Sequence, residues 1–531
     1  MITINRASQL RASLLALVLC ACSASPSPSA QAAPSSSTGA TATPGPATAG
    51  PAIPSQPVAQ SVPFPLDATI PELQAAMESG DLTAVELVDF YLARIAAYED
   101  AGPMLNAFIV LNPAAREEAA ALDAERAVSG PRGLLHGIPV VLKDNINTAD
   151  MQTTAGARGL AGFIPAHDAF QVSKLREAGA IILGKTNMEE FANGFRALSS
   201  MGGQTLSPYD LRRDPGGSSG GSAVAVTANF AVAGWGTDSC GSVRFPAVLN
   251  DLYGLRPSEG LTSRTGLIPL STTLDTMAAM ARSVVDLAIV LDATAGVDPA
   301  DPTTVPVEAS YLDAVDPNGL AGKRIGVISF KFGQELDPLM RQALDDLAAN
   351  GAELVNVFSM PPGNDVGPIF YEFTAAFNAY LAAEPSAPIR TLQELVDLGL
   401  EDPEFQPLLR EEAKVTSPET PARARALAYR PVFRDKVIAL MDELDIDAIF
   451  YPASLTTAQP IGSSAEPYDC ASAGYGGFPA ISIPAGFAAN GLPFGFELMG
   501  RPFAEETLIS MAAGYEAHTD HRVPPSTTPP L

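Results

Sequence analysis

Three short segments of this sequence concentrate residues able to do chemistry. Gly137-Ile138-Pro139-Val140-Val141-Leu142-Lys143-Asp144-Asn145 ends an apolar run on a lysine. An ammonium drawn into apolar surroundings loses hydration, which disfavours its charged form, so Lys143 is a candidate base. Pro215-Gly216-Gly217-Ser218-Ser219-Gly220-Gly221-Ser222-Ala223 is a glycine-rich loop. Residues without a Cβ widen its backbone range and free its amides. Gly236-Thr237-Asp238-Ser239-Cys240-Gly241-Ser242-Val243-Arg244-Phe245-Pro246 is a second small-residue turn, and successive amides beside a serine can form an oxyanion hole. Taken singly, either loop also reads as a structural turn.

Rival chemistries fit less well. Gly216-Gly217-Ser218-Ser219-Gly220 satisfies the Gly-x-Ser-x-Gly pattern of a nucleophile elbow, which needs a strand before it, a helix after it and a downstream acid and histidine. Pro208 to Pro215 is polar and turn-like, and the only later histidines, His518 and His521, fall in what reads as a fraying tail. The loop lacks the Gly-Lys-Ser/Thr ending and the clear preceding strand of a P-loop, which argues against nucleotide binding. No Ser-x-x-Lys pairing occurs, which argues against a penicillin-binding arrangement.

The elements that must position these segments leave their own marks. Thr69-Ile70-Pro71-Glu72 and Thr83-Ala84-Val85-Glu86 fit the capping box, predicting two helices with Gly80 between them. Leu82, Val85, Leu87, Val88, Tyr91, Leu92 and Ile95 recur mostly at three- and four-residue spacing, so the second helix packs one face on the core. Strand-like runs at Ile138 to Leu142, Ile181 to Leu183, Arg324 to Ser329 and Ala448 to Tyr451 alternate with helical stretches such as Asp337 to Ala349 and Arg430 to Leu444. That alternation predicts an α/β fold layered around a mixed, largely parallel sheet. The stretch from Pro361 to Pro421, punctuated by Gly and Pro, is expected to pack beside the sheet and border the substrate site.

Composition narrows the function classes. With 531 residues, 47% of them hydrophobic, the chain can bury a large core. Lys and Arg total 32 against 59 Asp and Glu, and a net charge of -27 repels a phosphate backbone, so nucleic acid is not an expected partner. Residues 1–22 read as an export signal: Arg6 and Arg11 supply the charged start, and Leu14 to Leu19 form an apolar stretch too short to span a bilayer. Leu19-Cys20-Ala21-Cys22 is lipobox-like, with Cys22 as the lipidated residue; an ordinary secretory signal is the alternative. Residues 23–63, almost wholly Ser, Pro, Ala, Thr and Gly, read as a disordered tether. The remaining cysteines, Cys240 and Cys470, could pair after export or stay free thiols.

Together the three segments resemble the amidase signature family, over about Asp67 to Asp520. Ser218 and Ser242 lie 24 residues apart, like the family's paired serines. Gly184-Lys185-Thr186-Asn187-Met188, Tyr253-Gly254-Leu255-Arg256-Pro257 and Gly477-Phe478-Pro479-Ala480-Ile481-Ser482-Ile483-Pro484-Ala485-Gly486 agree with it. The resemblance implies one α/β/α catalytic domain over residues 64–525, with Ser242 as nucleophile, Ser218 as bridging serine and Lys143 as neutral base. It also implies a cis peptide before Ser218, an oxyanion hole from the amides of Ser239, Cys240, Gly241 and Ser242, and no metal or cofactor. Many members carry glycine where this chain has Cys240. Asp238 and Arg244 are expected to form a supporting ion pair and Ser219 to orient Lys143. Cys240 and Cys470, both in family segments bordering the site, are expected close together, with a disulfide as one outcome.

Gly202-Gly203-Gln204-Thr205, Tyr371-Glu372-Phe373 and Asn378-Ala379-Tyr380-Leu381 look similar to bacterial peptide amidases, which deamidate peptide C-termini; simple packing of the site wall is the alternative. The expectation is an exported amidohydrolase acting on linear, non-peptide carbon-nitrogen bonds, in small amides or peptide C-terminal amides. An esterase or aryl acylamidase on the same triad is the alternative. An inactive binding lipoprotein conflicts with the intact Lys143, Ser218 and Ser242, and a component of a transfer-RNA amidotransferase conflicts with the export signal. Expected partners are a small-molecule or peptide amide, and a membrane only through the lipid anchor, with a homodimer left open. The expected location is the periplasm or cell envelope, or alternatively the secreted fraction.

Overall fold

The computed structural model describes residues 66–531 apart from 309, 329–334, 364–366, 416, 464–466 and 468–470. The expected signal and tether, residues 1–22 and 23–63, and Cys470 lie outside the described residues.

Both capping boxes form. Thr69 and Thr83 each accept the amide of the glutamate three residues on, and that glutamate reaches back to the cap, starting helices Ile70–Ser79 and Ala84–Tyr98. Gly80 closes the first helix in the left-handed region at φ 80°. The second helix buries Leu87, Val88, Tyr91 and Ile95, as its periodicity requires.

Thirteen strands are described: β1 Phe108–Leu111, β2 Pro139–Lys143, β3 Ile181–Thr186, β4 Leu198–Ser199, β5 Gly203–Gln204, β6 Ala233–Asp238, β7 Tyr253–Arg256, β8 Thr276–Ala281, β9 Arg324–Ile328, β10 Glu353–Val357, β11 Ala448–Pro452, β12 Ala480–Phe487 and β13 Pro493–Gly500. All but the β4–β5 hairpin join one mixed sheet in the order β1-β3-β2-β6-β8-β7-β12-β13-β11-β9-β10. Parallel pairing holds in two wings, β3-β2-β6 and β11-β9-β10. The strands between the wings, and the β1–β3 edge, pair antiparallel.

This topology sends the chemistry to one end of the sheet. β2 and β6 run parallel, so Lys143 and Asp238 leave it together. Thr276, which opens β8, pairs with Asp238, and Arg256, which closes β7, pairs with Ala480, which opens β12. Loops 239–243, 257–275 and 471–479 therefore emerge at that same end. β2, β3 and β6 are buried along their whole length, as expected of strands covered on both faces.

Two local expectations change. The helix expected from Arg430 runs instead over Pro421–Glu443, with Thr420 as N-cap, Pro421 in its first turn and Pro431 inside it. Pro431 removes one helical hydrogen bond, yet burial of Ala426, Phe433, Val437 and Met441 along one face carries the helix through. The tail of His518 and His521 is docked rather than frayed. Arg94 donates to the carbonyls of Thr528 and Pro529 at 2.8 and 2.9 Å, and Arg522 pairs with Asp67 at 3.0 Å. Residues beyond 525 thus belong to the same body.

Between Pro361 and Pro421, helices Phe373–Ala383, Leu392–Leu398 and Gln406–Ala413 share an apolar cluster with Phe163, Met188 and Phe191. They pack against segments adjoining the lysine and the serine loop. Tyr380 Oη donates to Asn147 at 2.8 Å, and Glu372 accepts from Ser271 Oγ at 2.8 Å and Thr273 N at 3.0 Å.

Candidate active site

Lys143 closes β2 as a fully buried side chain, and its Nζ lies 2.7 Å from Ser218 Oγ and 2.8 Å from Thr237 Oγ1. Burial pushes its pKa down to about 7, against the pull of the carboxylates of Asp275, Asp238 and Glu189. At neutral pH a large share of Lys143 is therefore uncharged. Asn145 Nδ2 also donates to Thr237 Oγ1, at 3.1 Å. Once Nζ gives one N–H to Thr237, its lone pair is left for the Ser218 proton.

Ser218 enters through a cis peptide bond from Gly217. Its carbonyl accepts the Glu189 amide at 3.0 Å. The glycine before it is needed for space, since a Cβ there would lie 2.9 to 3.0 Å from main-chain atoms of Phe195, Arg196 and Ala197. Gly221 is more constrained: a Cβ would meet the carbonyls of Asn187 and Ala107 at 2.2 and 2.6 Å. Thus the glycine run lets the loop lie flat on two neighbouring chain segments, a role distinct from cradling phosphate. No strand precedes the loop within Pro208 to Pro215, as an elbow would require.

Ser242 sits between β6 and the buried helix Arg244–Leu249, and its carbonyl accepts the Ser219 amide at 3.2 Å. It keeps 3% of its surface exposed, whereas Ser218 and Lys143 keep none. Ser242 is therefore the most exposed of the three, and it meets the serine loop through the Ser219 amide.

The loop around Ser242 departs from expectation at one amide. Gly241 N donates to Asp238 Oδ1 at 2.8 Å, so it is committed to a carboxylate and is withdrawn from the expected oxyanion set. The cause is the turn itself: Asp238 also accepts Val243 N at 3.2 Å and so ties down both ends of the loop. The Ser239 and Ser242 amides donate to no acceptor among the described residues. Cys240 is disulfide-bonded, and Cys470, the expected partner, lies outside the described residues. Ser239 Oγ donates to Asp275, whose other oxygen accepts the amides of Leu270 and Ser271 at 2.8 and 2.9 Å.

The expected Asp238–Arg244 pair forms at 3.1 Å, as part of a larger buried network. Arg256 Nη1 donates to Asp238 Oδ1 at 3.0 Å, and Arg244 Nη1 to Glu497. Two guanidiniums hold the Asp238 carboxyl well below its usual range, while burial pushes Glu497 up to about 7 against the pull of Arg244. Ser219 does not reach Lys143. Its Oγ lies 3.4 Å from the carbonyl and the amide of Thr237, so it supports the lysine only through Thr237.

Sequence reasoning passed over Thr237, Asn145, Asp275, Arg256 and Glu497. A signal existed for the last two, because a lone charge in an apolar strand must find a partner. The expected wall residues act as braces. Gln204 holds the Arg196 carbonyl at 2.6 Å, and Glu372 and Tyr380 tie the helical stretch to loops near the site.

The Amidase family matches residues 86–509. The chain belongs to the amidase family. Amide carbon-nitrogen hydrolysis is the activity that membership supports. A probable amidase of Arabidopsis thaliana is 34% identical over 487 residues, 86% of this chain and 91% of that protein. Native peptide amidase from Stenotrophomonas maltophilia superposes with a TM-score of 0.81 at 40% identity, covering 87% of this chain and 99% of that one. An amidase family protein from Bacillus anthracis superposes at 0.80 with 32% identity, covering 87% and 92%.

Proposed function

We propose that this amidase is exported and hydrolyses peptide C-terminal amides and related linear carboxamides through an acyl-enzyme on Ser242. The observation that carries the mechanism is a buried lysine, with its pKa near 7, in contact with Ser218. Ser242 Oγ attacks the carbonyl carbon while its proton passes to Ser218 Oγ, and the Ser218 proton passes to neutral Lys143. The amides of Ser239 and Ser242 receive the oxyanion, each such donor contributing about 3 kcal/mol. The relay then runs outward and protonates the leaving nitrogen as the carbon-nitrogen bond breaks. Water attacks the ester by the same relay and frees Ser242.

The peptide-amide reading is supported by 40% identity to a peptide amidase across 87% of the chain. Export is supported by the signal-like residues 1–22 ending in Leu19-Cys20-Ala21-Cys22 and by the disulfide at Cys240, a bond suited to an oxidising compartment. The same signal counts against a role within a transfer-RNA amidotransferase.

The test is turnover of amidated dipeptides beside matched methyl esters and aryl anilides, with the mature protein and its Ser242→Ala variant. Amidated dipeptides should give the highest kcat/KM; a clear preference for esters or anilides would favour the esterase or aryl acylamidase reading. Palmitate incorporation lost in Cys22→Ala would establish the anchor, and its absence from the native chain would leave a secreted enzyme.

A further inference from the structure

A cleft of about 480 Å3 opens at the catalytic end of the sheet, yet Lys143, Ser218 and Ser242 do not line it. Its charged lining residues are Arg264, Arg430, Arg434 and Glu259. In a chain of net charge -27, this convergence of guanidiniums stands out. Arg264 is answered by Asp301, which it meets at 3.0 Å with both Nε and Nη2. Arg430 and Arg434 are not answered in full. Both donate their Nη2 to the same oxygen, Glu259 Oε2, at 2.8 and 3.0 Å. One carboxylate between two guanidiniums leaves a net positive charge at the cleft.

The pair is also held in place. Arg430 Nε donates to the Tyr475 carbonyl and Arg434 Nε to the Gly476 carbonyl, each at 2.7 Å, while Nη1 of each donates to no acceptor among the described residues. The next residue, Gly477, has φ +70°, and a Cβ there would lie 2.6 Å from Arg434 Nη2 and from Glu259 Oε2. The floor of the cleft therefore depends on the missing side chain. Oriented guanidiniums suit planar, doubly bonded recognition of carboxylate or phosphate oxygens.

Two chain segments join this cleft to the nucleophile loop. Gly474, three residues before Gly477, packs so closely on the Ser239 carbonyl that a Cβ would lie 2.5 Å from it. Thr272 and Thr273 line the cleft, and Asp275 two residues on accepts the Ser239 hydroxyl. An anion that draws on Arg430 and Arg434 thus pulls on segments that touch Ser239.

We infer that this cleft is an anion subsite serving the neighbouring active site, taking carboxylate or phosphate oxygens between Arg430 and Arg434. Its occupancy does not depend on the acyl-enzyme reading, whereas its effect on turnover rests on that reading. The source of the anion is either an acidic side chain of the substrate or a free inorganic anion.

Calorimetric titration of inorganic phosphate into the mature Ser242→Ala protein tests occupancy without catalysis. Saturable binding is expected, weakened about tenfold by Arg434→Gln, which removes one charge-assisted contact. Glu259→Gln should tighten binding severalfold, because it removes the competing internal carboxylate. The opposite signs separate a binding site from a structural ion pair, for which both changes only loosen the fold. No saturable binding, or weaker binding in Glu259→Gln, overturns the inference. In the active enzyme, phosphate that competes only with an amidated dipeptide bearing glutamate, and not with its glutamine counterpart, assigns the subsite to the substrate's own carboxylate. Phosphate that changes kcat for the glutamine peptide assigns it to a free anion. Phosphate that binds and alters neither reaction overturns the coupling, and with it the subsite.

Discussion

The two parallel wings of the sheet share a topology and differ in what their strand ends carry. In β3-β2-β6 every residue is buried, and charged or polar groups at the ends have nowhere to go but toward one another. Burial pushes the Lys143 pKa down to about 7 there, and Arg244 and Arg256 hold the Asp238 carboxyl well below its usual range against burial. In β11-β9-β10 the outer strand leaves Glu353 and Asn356 exposed, and Arg324 pairs with Glu353 at the surface. Such an exposed pair is worth only a few tenths of a kcal/mol to about 1 kcal/mol. Charged residues are desolvated and paired in one wing and solvated in the other, because burial differs.

The contrast between the wings breaks most sharply at the nucleophile. Ser242→Ala should lower kcat on the order of 10^6-fold and abolish fluorophosphonate labelling, since the proposed relay makes the three groups one unit. Undiminished labelling of that variant would move the nucleophile elsewhere. Lys143→Ala should cost nearly as much, because deletions within such a unit are not additive. Retention of most of the activity would remove the lysine from the relay.

Acidification sharpens the contrast without mutation. In the proposed relay only uncharged Lys143 accepts the Ser218 proton, and burial pushes its pKa down to about 7. Thus kcat/KM should fall about tenfold for each pH unit below that value, with the enzyme still folded. A profile flat from pH 8 to pH 5 contradicts a lysine base.

Structural changes should separate the wings by size. Arg256→Met leaves Asp238 without one of its two buried partners and should destabilise the fold by about 3 to 5 kcal/mol in denaturant melts. Val355→Ala, on the half-buried β10, should cost about 1 kcal/mol and leave kcat unchanged. A larger kcat effect from Val355→Ala than from Arg256→Met would mean that the far wing supports the chemistry.

Much of the local structure was legible in the sequence because its cause is local. Thr69 and Thr83 cap the helices that follow them through residues three positions on, and Asp337–Ala349 forms a helix over the range its pattern implies. The sequence pattern shows a helix only from Arg430, whereas the structure runs it over Pro421–Glu443 through Pro431, carried by burial of residues that the proline does not touch.

The site shows the same division. Lysine at the end of an apolar run and two serines in glycine-rich turns follow from residue type and spacing, the Asp238–Arg244 pair follows from the family resemblance, and together they mark where chemistry can occur. Tertiary structure decided the rest. It set Thr237 beside Lys143, placed Asp275 under Ser239 and joined Glu497 to Arg244 across 253 positions. Periodicity and short motifs report which groups lie near one another along the chain. A hydrogen bond between strands depends instead on register and on how the sheet brings their ends together.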